Sequence, residues 1–296
     1  MKICGACEKE LPKESFSGKQ WKIRKSLRRC KVCVAAGNEL VLFTKGRERS
    51  VDDECPICSR LLPLDQGEST LYLCCMKTVC KGCALEADKR GIRGKCPFCR
   101  TPLPTSNEAS LAMIQNRVKA NDTEAIHCLG TCYRHGDHGL KKDMPRAVRL
   151  WERAAELGLK EAHFDLGNMF DENIAFDGVD NDMSRVDGVD NDMSRAIEHY
   201  EFAAKQGDVI ARNNLGAINY NMGNYGLARK HWMISAKLGF KESLDEIKEM
   251  YMKGMALKSD YAEVMRGYYV ANKEMSSPER DESKRRERLS KRSVRH

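Results

Sequence analysis

Ala125-Ile126-His127-Cys128-Leu129-Gly130-Thr131-Cys132-Tyr133, followed further on by Trp151-Glu152-Arg153-Ala154-Ala155-Glu156-Leu157-Gly158, is a pattern that recurs twice more down the chain. The Leu-Gly pair returns as Leu166-Gly167 and Leu215-Gly216, with Phe170 and Tyr220 three or four residues after the glycine, as Tyr133 follows Gly130. The aromatic, small-pair and glycine set returns as Tyr200-Ala203-Ala204-Gly207 and Trp232-Ser235-Ala236-Gly239. From Ala154 to Leu166, Ala203 to Leu215 and Ser235 to Ile247 the step is 12 residues every time. The step from each Leu-Gly to the following small pair is instead 25, 37 and 20. A fixed step implies a tight turn at the glycine, where one helix ends in a left-handed cap and the next packs at once. A variable step implies loops along one edge. Large knobs beside Gly and Ala are what closely approaching helix pairs need, so this periodicity predicts a mainly α, solenoid-like array over residues 121–272.

The residues that carry the pattern (Ala125, Leu129, Gly130, Tyr133, Gly136, Asp143, Ala147, Trp151, Ala154, Ala155 and Gly158, with their counterparts further on) resemble the Sel-one-like repeat, a relative of the tetratricopeptide repeat. That resemblance implies a platform for a protein partner. A degenerate fourth unit, from Ile247 through Tyr251 and Gly254 to Tyr268, is expected to close the stack. Within the longest variable loop, residues 177–185 and 187–195 are identical, and only the second copy is in register with the helix after it. Lengthening a surface loop costs little, so the first copy reads as an insertion. Its Asp177, Asp180 and Asp182 lack the twelfth-position carboxylate of a calcium loop.

Working back toward the amino terminus, the cysteines take over. Twelve of the 14 lie before residue 100, in close pairs. The start of the chain has no apolar segment with a small-residue cleavage site, which suggests a reducing compartment, the cytoplasm or nucleus, where such pairs are metal ligands and not disulfides. No apolar run approaches the roughly 20 residues that span a bilayer, so no membrane is expected. Cys4, Cys7, Cys30 and Cys33 form one set, over residues 1–34, and four thiolates suit a closed zinc site. The stretch from Leu11-Pro12 through Phe16 and Trp21 to Arg28-Arg29-Cys30 resembles the Stc-one-type zinc domain, which implies a small zinc-ribbon-like fold. Lys19, Lys22, Arg24, Lys25, Arg28 and Arg29 surround Trp21, a basic strip that could make a weak nucleic-acid contact or be an ordinary solvated face. Residues 35–51 read as a linker or, given the apolar run Leu40-Val41-Leu42-Phe43, as a stretch that packs as a helix or strand.

Residues 52–104 contain Cys55 and Cys58, Cys74 and Cys75, Cys80 and Cys83, and Cys96 and Cys99. This arrangement resembles a cross-brace RING, all-cysteine and with adjacent ligands in its second pair. The resemblance implies that Cys55, Cys58, Cys80 and Cys83 share one zinc and Cys74, Cys75, Cys96 and Cys99 another, so that the chain as a whole holds about three ions. It also implies a groove for a ubiquitin-conjugating enzyme at Ile57, Pro97 and Phe98, with Arg100 as the residue that hydrogen-bonds ubiquitin and the enzyme together. Ala87 stands where the helix after Cys83 often carries a Trp. The expected function is a RING-type ubiquitin ligase or ligase subunit without a covalent intermediate; the alternative is a non-enzymatic zinc-binding scaffold for protein or RNA.

Residues 105–120 read as a linker or first helix, starting at Ser106 or Asn107 beyond the two prolines of 101–107. Cys128 and Cys132, four apart near three histidines, read as small core residues. The net charge of +8 is concentrated at the two ends: residues 1–50 carry +8 and 273–296 carry +4, against −4 over 111–272. The tail 273–296 lacks apolar periodicity beyond Leu289 and is expected to be frayed or disordered.

Overall fold

The computed structural model describes residues 1–171 and 192–293. The tandem segment 177–185, with the three aspartates weighed for calcium, lies outside the described residues. In chain order the elements begin with strands β1 (Lys2–Ile3) and β2 (Glu10–Leu11) and helices α1 (Gly18–Lys22), α2 (Lys31–Ala35) and α3 (Val41–Thr44). Strands β3 (Ser69–Tyr72) and β4 (Lys77–Cys80) and helix α4 (Lys81–Lys89) follow. Then come α5 (Asn107–Lys119), α6 (Thr123–His135), α7 (Met144–Glu156) and α8 (Lys160–Phe170). The remainder is α9 (Met193–Lys205), α10 (Val209–Asn221), α11 (Tyr225–Lys237), α12 (Lys241–Met252), α13 (Lys258–Glu274) and α14 (Pro278–Ser293). No helix among the described residues is long and apolar enough to cross a membrane.

The chain divides into two compact units that are discontinuous in sequence. One comprises Met1–Arg49 with Ile197–Met265, the other Ser50–Ala196 with Arg266–His296.

In both units the expected turns are present. Gly158, Gly207 and Gly239 have φ of 90°, 88° and 99°. The N–H three residues past each helix end closes on the carbonyl five residues back, Leu159 on Ala154 (3.1 Å), Asp208 on Ala203 (3.1 Å) and Phe240 on Ser235 (3.3 Å). That bond spends an orphan carbonyl and sets the next helix at once against the last. Asp122, Asp143 and Asp208 accept from the N–H three residues on, capping α6, α7 and α10. The Leu-Gly glycines are needed for packing. A Cβ on Gly130 would sit 2.7 Å from the Trp151 indole, and one on Gly216 would sit 2.4 Å from that of Trp232. The helix-pair cores are fully buried around Ile126, Trp151 and Leu166 in one unit and Tyr200, Leu215 and Ile247 in the other.

Residues 35–51 are not a free linker. Leu42 and Phe43 are buried on α3, and Phe43 packs on His231 with ring centroids 4.9 Å apart. Arg212, 0% exposed on α10, donates to the carbonyls of Leu42 (2.6 Å), Lys45 (2.9 Å) and Ala204 (2.7 Å), which ties this stretch to α10 and the end of α9. Burial pulls the Arg212 guanidinium down to about 10, still a cation at neutral pH.

The tail departs from expectation more sharply. Residues 278–293 form α14 in place of a frayed or disordered tail, and the helix packs along α4. Beyond Pro278 and the exposed Leu289 its residues are polar, so apolar periodicity could not announce it. Its contacts are ion pairs, Glu287 to Lys81 (3.1 Å), Glu282 to Lys89 (2.7 Å) and Lys284 to Glu68 (2.8 Å), together with one buried arginine, Arg280.

Candidate metal centres and an adjoining groove

Twelve cysteines converge into three groups of four: Cys4, Cys7, Cys30 and Cys33; Cys55, Cys58, Cys80 and Cys83; Cys74, Cys75, Cys96 and Cys99. Within each group the sulfurs lie within 4.8 Å of one another. Individual separations include 4.0 Å for Cys58 and Cys80 and 3.8 Å for Cys75 and Cys96. Four sulfurs at about 2.3 Å from a tetrahedral zinc stand about 3.8 Å apart, so the donor set and its spacing fit that ion. Cys74 and Cys75 both belong to the third group. Cys128 and Cys132 belong to none of the three, and Cys132 is buried in the helix-pair core.

Short hairpins present the ligands. Lys2 pairs with Leu11 and Ile3 with Glu10 around Cys4 and Cys7, while β3 and β4 bring Cys74 and Cys75 to the tip of a turn. Single bridges, Glu54 to Leu61 and Lys95 to Pro102, flank the Cys55–Cys58 and Cys96–Cys99 turns. The residue after the second cysteine is left-handed at Glu8, Ser59, Met76 and Arg100, with φ between 50° and 65°. A chain that must fold both sulfurs toward one point reverses there, although none of these residues is glycine. The remaining pairs begin helices: Cys30 and Cys80 cap α2 and α4, accepting from the N–H of Cys33 (3.4 Å) and Cys83 (3.5 Å).

The thiols of the three groups do not ionise alike. Burial opposes ionisation of Cys4, yet the N–H groups of Cys30, Ala6 and Cys7 outweigh it and bring it down to about 6. Its hydrogen bond with Thr101 brings Cys99 to about 6 as well. Hydrogen bonding to Cys80, with burial, pushes Cys55 up to about 12. Four thiols this close resist bearing four charges, and a divalent cation at their centre is what would hold all four deprotonated.

A cavity of about 350 Å³ lies beside the second group, lined by Ile57, Arg60, Ala87, Ile92, Pro97 and Arg100, among others. Of the four residues named from the sequence as candidate contacts, Ile57, Pro97 and Arg100 therefore line one cavity. Phe98 is not part of this lining and stands 46% exposed. Ser277 and Glu279, from the start of α14, complete the rim. Sequence reasoning missed both, since nothing in the polar tail signals a contact with residues some 200 positions earlier.

Within the basic strip Trp21, Arg24 and Arg28 have partners inside the protein, whereas Lys19, Lys22 and Lys25 are exposed. Arg28 is buried and donates to the carbonyls of Gln20 (3.2 Å) and Ile3 (3.4 Å). Arg24 pairs with Glu201 at 3.2 Å, and Trp21 packs on Phe16 with Lys2 Nζ 4.7 Å above its ring. Trp21, Arg24 and Arg28 therefore act as internal packing and pairing groups.

Among curated proteins none matches the chain. It is similar to a Sel1 repeat protein from Oxalobacter formigenes, at 20% identity and a TM-score of 0.46, over 67% of this chain and 73% of that one. It is also similar to a protective antigen of uropathogenic Escherichia coli displaying an SLR fold, at 24% identity and a TM-score of 0.33, over 66% of this chain and 46% of that one. Residues 123–159, which carry α6 and α7, and residues 181–208 match the Sel1 repeat.

Proposed function

We propose that the chain is a zinc-binding RING-type ubiquitin ligase or ligase subunit, which recruits a ubiquitin-conjugating enzyme at the cavity beside the second cysteine group and a protein partner on its repeats. One observation carries the reading: Ile57 and the pair Pro97 and Arg100, from turns that serve different cysteine groups, line one cavity. Zinc at the three groups would supply folding free energy and rigidity, on the order of 10–16 kcal/mol per site in small peptides. Ile57, 43% exposed, with Ile92 and Pro97 offers an apolar floor, and Arg100 offers a planar fork that can donate to two carbonyls at once. The chemistry would be aminolysis. A lysine amine attacks the ubiquitin thioester carbonyl, the C–N bond forms as the C–S bond breaks, the enzyme's thiolate leaves and the amine's proton passes to solvent. This chain would contribute by restricting the thioester to attack-ready geometries. Helical-repeat arrays offer extended surfaces to proteins. A second cavity, of about 270 Å³ and lined by Phe43, Met233 and Ile234 with Lys230 and Lys237, is a candidate for that contact.

Ubiquitin-chain formation by the full chain with a panel of conjugating enzymes tests the reading. Ile57→Ala and Arg100→Ala are each expected to lower the rate at least tenfold with zinc content unchanged; equal rates for wild type and both variants would remove the ligase. A second reading, a non-enzymatic zinc-binding scaffold for protein or RNA that engages no conjugating enzyme, is favoured by Ala87, whose small side chain lines the cavity where the family often has Trp. It would give no chain formation with any enzyme and no chemical-shift change in a conjugating enzyme on addition of the full chain.

A further inference from the structure

Arg280 lies at the first turn of α14, far from the cysteines in sequence, yet it is 3% exposed and reaches the second cysteine group. Its Nη1 donates to the carbonyls of Leu61 (2.6 Å) and Met275 (2.5 Å), and its Nη2 to the Arg60 carbonyl (3.4 Å) and to Cys58 Sγ (3.5 Å), 222 residues away. The backbone beside it is as close. A Cβ on Gly82, between Cys80 and Cys83, would stand 2.7 Å from the Arg280 nitrogen. All four of these partners are a backbone carbonyl or a sulfur.

A buried guanidinium is costly without a counter-charge, and neutral carbonyls satisfy its hydrogen bonds without supplying any. A divalent ion held by four thiolates has a net double negative charge, which is just as costly to bury alone. We propose that Arg280 is an outer-shell positioning residue of this metal centre: it is the counter-charge of the tetrathiolate site, so that metal occupancy and the seating of α14 stabilise each other. The inference rests on the metal-binding part of the function proposed above. Outer-shell partners orient ligands and tune affinity in this way at other metal sites. The coupling has a functional edge, because Ser277 and Glu279, which Arg280 anchors, form part of the rim of the cavity lined by Ile57 and Arg100. Losing the ion would release that rim.

The test uses the full chain loaded with cadmium-113, whose resonances distinguish the three sites and are assigned by coupling to the cysteine β-protons. Arg280→Met keeps the length of the stem and removes the charge. It is expected to move the one resonance coupled to Cys55, Cys58, Cys80 and Cys83 and to weaken that ion's hold by about 10- to 100-fold in chelator competition, with the other two sites unchanged. Arg280→Lys, which keeps the charge, should recover part of the loss. Amide exchange in the unsubstituted chain needs no variant: protection of α14 should fall when the metal is removed. Unmoved resonances and unchanged affinities in Arg280→Met would overturn the proposal, as would equal losses for Met and Lys, or protection of α14 that survives chelation. A wild-type chain showing no thiolate-bound cadmium would instead overturn the metal reading itself.

Discussion

At the scale of single residues, the repeat rests on contacts that tolerate no extra atom. Gly216 lies under the Trp232 indole, whose Nε1 donates to the Asn213 carbonyl at 3.2 Å, so the ring cannot slide aside without losing that bond. Gly216→Ala is expected to cost about 1–3 kcal/mol in urea unfolding. Gly226, on α11 with nothing within 4 Å of a Cβ, is the control: Gly226→Ala should be neutral or stabilise by up to about 1 kcal/mol. Two histidines have opposite charge preferences. His231 is 0% exposed, its ring nitrogens are without hydrogen-bond partners among the described residues, and burial holds it well below its ordinary value. His127 is opposed by burial, yet the 2.7 Å bond to Asp165 and that carboxylate's charge raise it.

At the scale of elements, the cysteine turns and the helices draw on different sources of stability. The hairpins β1–β2 and β3–β4 have small cores of their own, one gathered around Cys4, Phe16, Cys30 and Cys33 and the other around Cys55, Leu62, Val79 and Cys80. So little apolar area cannot hold them without metal. Chelation is expected to release about three equivalents of zinc and to melt these turns, while α6–α7 and α10–α11 keep most of the helical circular dichroism. A proportionate collapse of the whole helical signal would show that the repeats depend on the metal modules. Elements also differ in how far they could be read in advance. The helix pairs were legible because Leu129, Gly130, Trp151, Ala154 and Gly158 recur at a fixed step, and the cysteine groups because ligand spacing is local. Helix α14 was not legible, since Arg280, Glu282 and Glu287 acquire meaning only from partners at Cys58, Lys89 and Lys81. Arg212 was hidden for the same reason, as nothing near it in sequence tells that it will hold Leu42 and Lys45.

At the scale of the whole molecule, the division into two units places His231 in one and His127 in the other. A histidine whose folded pKa is depressed contributes stability that is complete above its unfolded value of about 6.5 and is lost as the pH falls below it. One whose folded pKa is raised contributes stability that is complete below about 6.5 and is lost as the pH rises through the folded value. Moving from pH 8 to pH 5.5 should therefore weaken the unit built from Met1–Arg49 and Ile197–Met265 through His231, and strengthen the other through the His127 and Asp165 pair. Amide exchange read separately on α11 and α6 should diverge with pH. His231→Phe should flatten the first response and His127→Gln the second; parallel responses in the wild type would show that other groups dominate. The discontinuity of the first unit also bears on synthesis. Arg212 follows Leu42 by 170 residues, so a ribosome adding about 5–20 residues per second leaves Leu42 and Phe43 uncovered for roughly ten to thirty seconds after they are made. Throughout that interval the nascent chain displays an apolar pair whose cover has yet to be translated, a state in which incompletely folded chains are prone to aggregate.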